Sequence, residues 1–449
     1  MISQAGNARA GMPEPRPTAL AYPRPRLDYL HFLTSGLFLV TMLVSIALVK
    51  FGFAGLPARA YAAGAIIAVT FLASPWILGD AILRMRKAAL LVAICAAIGV
   101  LSSWLNDNAV AQIGRQLLEI HVQALVGLLA GACLVRTCGP GGVARVMALA
   151  VAISATVAAL QFVGFGPAWD IRSYLQGLQP VELGPESVAL VSLTLRNRAM
   201  GLSFSPVHLG TQICLAFAIW FSYLLVRHPD LIKGRFDHRL LTPIALFVLA
   251  AAVSGNRSPL LGMGLFILMY LFMVRPVFAT IGLFVFLPFV VLLDDILLVL
   301  ADMGFRAAQT NDGSSQNRGV LRAFGFLLLM DRPYGYGLGF NSTEYWFVFW
   351  DQLKTYPNAV SIRVHALHNY FMMILNKYGI IIVFVGFYII NLFRNNVFLL
   401  LAFTPYITHI FYHNDGPLQG DFMIWYLLPA ISIMQAAARA ERRRITQQP

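Results

Sequence analysis

Runs of about 20 apolar residues recur from Phe32 almost to the C-terminus, separated by short polar turns. That pattern constrains the fold more than anything else in the chain. A bilayer core of ~30 Å takes about 20 residues at 1.5 Å each, and every backbone polar group inside it must be paired. Spanning helices meet both demands. The template predicts helices near 32–49, 61–79, 88–104, 119–135, 145–164, 206–226, 240–255, 259–274, 277–299, 369–393, 396–412 and 421–437. The expected fold class is an all-α polytopic integral membrane protein with about twelve transmembrane helices. Composition agrees: 58% of residues are hydrophobic and 12% charged, against about 25% charged in soluble domains.

Charge orients this domain. With both termini inside, the inner loops carry Arg84, Arg86 and Lys87, then Arg136 and Arg145, Arg227 to Arg239, Arg275 and Arg394. The tail adds Arg439, Arg442, Arg443 and Arg444, whereas the short outer loops hold only Lys50, Arg59, Arg115 and Arg257. Basic residues favour the cytoplasmic side, so both termini are expected there. Two long loops, about 165–205 and 300–368, then fall on the opposite face, the second between helices nine and ten. The net charge of +13 reads as a topology signal. It does not imply nucleic acid, because the aromatics lie inside apolar runs rather than among Lys and Arg. Residues 1–31, rich in Pro and Arg, read as a disordered cytoplasmic tail, 32–437 as the membrane domain and 438–449 as a basic cytoplasmic tail. The segment 32–49 exceeds a signal-peptide core of ~7–15 residues, so despite Ala58-Arg59-Ala60 it reads as an uncleaved anchor. Cys95, Cys133, Cys138 and Cys214 have no ligand spacing and read as packing residues.

Four places on the outer face offer chemistry. Arg198 lies in Arg196-Asn-Arg-Ala-Met-Gly-Leu-Ser-Phe-Ser-Pro206, at the start of a helix whose free amides favour an anion; a plain interfacial arginine is the competing reading. Arg257 sits in Ser254-Gly-Asn-Arg-Ser-Pro259, at the tip of a hairpin between two helices of about 15 residues. Each reaches roughly 22 Å, less than the ~30 Å core, so Arg257 is expected to be recessed, and an arginine at that depth is a functional candidate. Otherwise it snorkels to headgroups. Arg318 and Arg322, four residues apart, share a helix face between the capping residues 311–315 and Pro333. Surface charge is the simpler account, and it suits Arg322 better. His368 stands at the start of the helix that holds Lys377 and Gly379, with His365 a turn before it. A lone histidine there is usually structural, yet histidine is the side chain best matched to taking a proton near neutral pH.

Other motifs compete poorly. Asp294-Asp295 falls at the outer end of the ninth expected helix and reads as its cap. His413, Asp415 and Asp421 read as a solvated loop, with metal binding the less favoured alternative. No P-loop, Gly-x-Ser-x-Gly or His-Glu-x-x-His occurs.

Taken together, the segment from about 190 to 380 resembles the O-antigen ligase and polysaccharide polymerase superfamily of bacterial envelopes. The resemblance rests on Arg198-x-x-Gly201 before Pro206, Asn256-Arg257-Ser258, Arg318 before an apolar stretch, Pro333…Gly335-x-Gly337-x-Gly339, and His368-Asn369 followed by Tyr378-Gly379-Ile380. Asn256 departs from the serine common there. The resemblance implies a metal-independent, inverting glycosyltransferase without cofactor, acting on the periplasmic face of a bacterial inner membrane on a polyprenyl-diphosphate-linked glycan. Arg257 and Arg318 would hold the diphosphate and His368 would activate the acceptor hydroxyl, with Arg198, Arg322, Asn369 and Gly337 as further substrate contacts. The acceptor would be a glycan or lipid A–core, and a flippase or chain-length regulator would work alongside. Ser205-Pro-Val-His-Leu209 departs from the Asn-Pro-Asn form of many ligases, which favours a polymerase of exopolysaccharide or O-antigen over a ligase. From other classes, a transporter of an anionic substrate would line a path with Arg198, Arg257 and Arg318. No inverted repeat supports it. A structural scaffold would leave the matched motifs to coincidence.

Overall fold

The computed structural model describes residues 28–49, 51–53, 56–178, 198–228, 231, 238–277, 279–280 and 313–447. Among the described residues the architecture is all-α apart from a minimal antiparallel ladder, β1 (Gly52–Phe53) and β2 (Leu56–Pro57), and isolated bridges from Gly416 to Gln419 and Gly420. Among the described residues, six helices are long and apolar enough to cross a membrane: Tyr29–Ala47, Pro75–Trp104, Val110–Thr137, Pro140–Phe162, Pro206–Arg227 and Arg257–Val274.

In chain order the α-helices of more than about one turn are α1 (Asp28–Ala47), α2 (Ala58–Ala73), α3 (Pro75–Trp104), α4 (Val110–Gln116), α5 (Gln123–Thr137), α6 (Pro140–Phe162) and α7 (Gly166–Gly177). After them come α8 (Pro206–Arg227), α9 (Leu241–Val253), α10 (Arg257–Val274), α11 (Gly313–Asp331), α12 (Tyr370–Tyr378), α13 (Ile382–Arg394), α14 (Val397–Phe411) and α15 (Met423–Gln447). One π-helical stretch, Leu117–Val122, joins α4 to α5.

Contacts define two ends of the bundle. At one, Asn256 of the α9–α10 turn donates to the carbonyl of Pro206 at the start of α8, and Lys377 Nζ reaches Gln419 Oε1 at 2.9 Å. At the other, Arg136 on α5 meets Asp80 on α3 at 2.6 Å, and Gln435 on α15 ties to Ser222 on α8 at 2.8 Å. The main core lies between these ends. All four cysteines are buried in it and form no disulfide.

Three expected boundaries differ. The spans drawn at 61–79 and 88–104 with a basic loop between them are instead α2 and a 30-residue α3. The chain turns at Ser74-Pro75, where proline fits the first helical turn because its missing N–H has no intrahelical role there. Arg84, Arg86 and Lys87 therefore lie on α3 itself. At about 45 Å, α3 is longer than a bilayer core is thick. The span expected at 369–393 is broken into α12 and α13 at Gly379, whose φ is 77°. The third is α10, which has 18 residues, not about 15. Of the expected ninth span, 281–299 with Asp294 and Asp295 lies outside the described residues, as do residues 1–27, most of the loop 179–197 with Arg196, and 300–312.

The late loop has a core of its own. Helix α11 buries Val320, Leu321, Phe324 and Leu328 against Tyr336, Phe349, Leu353, Ile362 and Leu367. The turn after it locks onto the end of α3. Asn106 Nδ2 donates to Gly335 O (2.7 Å), Ser102 Oγ to Tyr334 O (2.7 Å), and Leu338 N to Ser103 Oγ (2.8 Å).

Candidate functional site

Helix α11 and the loop 365–369 meet the top of α14. Their meeting line encloses a small cavity, about 10 Å³, lined by Arg318, Arg322, His368, Asn369, Phe411 and Tyr412 among others. That is room for about one water. The helical spacing brings Arg318 and Arg322 to the same side, as expected from their separation of four. Arg322 is exposed and Arg318 half-buried, its guanidinium 5.5 Å from the ring centroid of Tyr412. Asn369 caps α12, its Oδ1 accepting from Met372 N at 3.0 Å.

His368 is half-buried beside His365, with ring centroids 5.7 Å apart. Its Nδ1 is buried and has no hydrogen-bond partner among the described residues. Burial pushes the ring down to about 4; the charges of His365 and Arg318 add to this, while the nearby backbone of Ala366 and the carboxylate of Asp415 oppose it. The imidazole is therefore neutral near pH 7 and able to accept a proton.

Residues 409–421 complete the site. The carbonyl of Val207 lies 3.1 Å from His409 Nε2 and can only accept, so this nitrogen donates. His409 Nδ1 then accepts from Ser258 Oγ at 2.9 Å, and Ser258 Oγ accepts in turn from His413 Nε2 at 3.1 Å. The order leaves His413 Nδ1 as an acceptor. Burial holds His413 well below its ordinary value, and His409, Arg318, His368 and Arg198 push the same way. Arg198, Arg318, His368 and His409 thus all lie near enough to act on His413 at one end of the bundle. Asp415 lies 3.6 Å from His208 Nε2, and His208 Nδ1 is 2.7 Å from Ser205 Oγ. Asp421 is buried, accepting from Tyr406 Oη at 2.6 Å.

The segment bearing Arg198 is held from beneath. Gln161 Oε1 accepts from the amides of Met200 (3.0 Å) and Gly201 (2.9 Å). Buried Arg172 donates to Phe204 O at 2.6 Å. Gly201, at φ 61°, is required because a Cβ there would strike the backbone of Ser154.

Three expectations are corrected. Arg257 is exposed while its neighbours Asn256 and Ser258 are buried. It is the first residue of an 18-residue helix rather than the tip of a hairpin between two helices of about 15, and the 100° rotation per residue separates it from buried Ser258. Gly337 does not line the cavity. Its φ of 92° and the space left by Ser103 and Asn108 make it a packing glycine of the α11–α12 turn. The loop read as solvated is also different: Asp421 is buried, and His413 and Asp415 are only partly exposed. No group of three His, Cys, Asp or Glu side chains converges as metal ligands among the described residues. Sequence reasoning missed His409, Ser258 as a relay, Gln161 and Arg172. A polar residue inside a long apolar run, as at His409 and Gln161, was the available signal.

No protein family matches the chain, and no curated protein shows significant similarity to it.

Proposed function

We propose that this chain is a twelve-span glycosyltransferase of a bacterial inner membrane, with both termini cytoplasmic and the site periplasmic. The donor is a polyprenyl-diphosphate-linked glycan, and the product is an extended exopolysaccharide or O-antigen chain. Transfer to lipid A–core by the same chemistry is the alternative. The observation that carries the reading is the unpartnered, buried Nδ1 of His368 in a cavity lined by Arg318. A buried nitrogen left without a partner fits a proton acceptor whose partner is the substrate. In the reaction the acceptor hydroxyl oxygen forms a bond to the anomeric carbon, and the carbon–oxygen bond to diphosphate breaks from the opposite side. The hydroxyl proton passes to His368 Nδ1, and diphosphate leaves with the bonding pair. Arg318, with Arg198 and Arg322, neutralises its growing charge. Bound diphosphate also raises the basicity of His368 by offsetting the positive charge of Arg318. The donor must enter from the exposed side, at Arg322 and Asn369, because the enclosed space holds only about one water.

The test is a reconstituted assay with purified lipid-linked glycan. His368→Ala is expected to lose about 10²–10⁴-fold in turnover while still binding donor. Arg318→Ala is expected to lose both, and His365→Ala to keep substantial activity. Wild-type turnover by His368→Ala would overturn the assignment. Product length then separates polymerase from ligase.

A further inference from the structure

A second cavity lies at the other end of the bundle. The turn between α13 and α14 and the last turns of α15 border an open cavity of about 430 Å³, lined by Asn395, Asn396, Phe398, Arg439, Arg442 and Arg443 among others. Helix α14 has 15 residues and so separates this cavity from Tyr412 by about 22 Å. It is not part of the site around His368.

The walls are built. Asn396 is buried and caps α14, its Oδ1 accepting from Leu399 N at 3.3 Å. Gln435 ties α15 to α14 and α8 through Phe398 O (3.4 Å) and Ser222 Oγ (2.8 Å), which fixes the register of the arginine-bearing turns that follow. The guanidinium of Arg442 lies 5.3 Å from the centroid of the Phe398 ring, packed on the wall. Three exposed arginines therefore line one cavity together with the first turn of a 15-residue helix. Glu441, on the same turn of α15, does not line it. Planar guanidinium forks and a helix N-terminus both favour phosphate oxygens.

We propose that this cavity binds a phosphate-bearing anion, supplied by an anionic lipid headgroup or as free phosphate. Basic residues that serve topology alone need no shared cavity. Arg444 supplies the contrast, because it carries the same charge one residue on and does not line the space.

The full chain in detergent is examined by native mass spectrometry with phosphatidylglycerol or phosphatidylcholine, and by thermal shift with inorganic phosphate. Wild type is expected to retain phosphatidylglycerol about 10-fold over phosphatidylcholine if the source is lipid. If the source is free phosphate, inorganic phosphate is expected to raise its melting temperature. Arg439→Gln/Arg442→Gln/Arg443→Gln is expected to lose the effect, Arg444→Gln to keep it, and the triple lysine variant, which retains charge but not the forks, to fall between. An unchanged effect in the triple glutamine variant, an equal loss in Arg444→Gln, or no response of wild type to either anion overturns the proposal.

Discussion

The hydroxyl of Ser258 stands between two imidazoles, 2.9 Å from His409 Nδ1 and 3.1 Å from His413 Nε2. Since Val207 O fixes the far nitrogen of His409 as a donor, one serine sets the tautomer of His413, in the loop that also carries Asp415 toward His208. Ser258→Ala removes the link and leaves ring nitrogens unpaired. A hydrogen bond of this kind contributes about 0.5–1.5 kcal/mol, so glycan transfer is expected to fall about 2- to 12-fold, with donor binding little changed. Ser258→Thr, which keeps the hydroxyl, is expected to stay closer to wild type. Equal rates for all three proteins would show that this hydrogen-bond chain plays no part in the proposed transfer.

The pH dependence follows from the lowered histidines. His368 is held at about 4 in the folded chain, and His365 and His413 are also lowered, against an ordinary value of about 6.5. Below pH 6.5 the unfolded chain binds protons that the folded chain does not. Stability is therefore expected to fall as pH drops from about 6.5 towards 4, and to be insensitive to these groups above that window. If His368 is the base of the proposed transfer, the acidic limb of kcat/KM is expected below pH 6.5. A melting temperature flat from pH 7 to 4.5, or an acidic limb at 7, contradicts this.

The glycine-rich turn makes a structural prediction. Gly337 and Gly379 have φ of 92° and 77°, and a Cβ on either would press into Ser103 and Asn108 or into Tyr334 and Gly335. Alanine at either is expected to cost about 1–3 kcal/mol through left-handed strain, before the crowding is added. Gly319, next to Arg318 on α11, has open space around its missing Cβ. Gly319→Ala is expected to stabilise by up to about 1 kcal/mol through helix propensity. Thermal unfolding in detergent separates them; a stable Gly337→Ala protein with lost donor binding would return Gly337 to a substrate role.

Orientation is tested without any assay of transfer. The basic segment through Arg239 and the loop at Ser342 are expected on opposite sides of the membrane. Reporter fusions after Arg239 and after Ser342 should give opposite signals. The same signal from both removes the basis for a periplasmic site.

Residue order by itself determined the features that need only local information. Apolar length predicted the helices, the separation of Arg318 from Arg322 predicted their common side, and the stop at Pro333 matched the end of α11 at Asp331. The place of His368 at the start of a helix was equally legible, since a helix start and the residues before it are neighbours in the chain; that Asn369 caps α12 was shown by the structure. Tertiary structure alone decided the rest, because lateral packing joins residues that no short window contains. Ser258 and His409 are 151 positions apart, and Ser103 and Leu338 are 235 apart. Hydropathy says that a residue such as His409 is buried in a run, but not which helix it faces. It cannot tell that Arg257 turns outward while Ser258 turns in, because that depends on where α10 begins. Nor could it assign Gly337 to packing, since the side chains that exclude a Cβ arrive from the far end of α3.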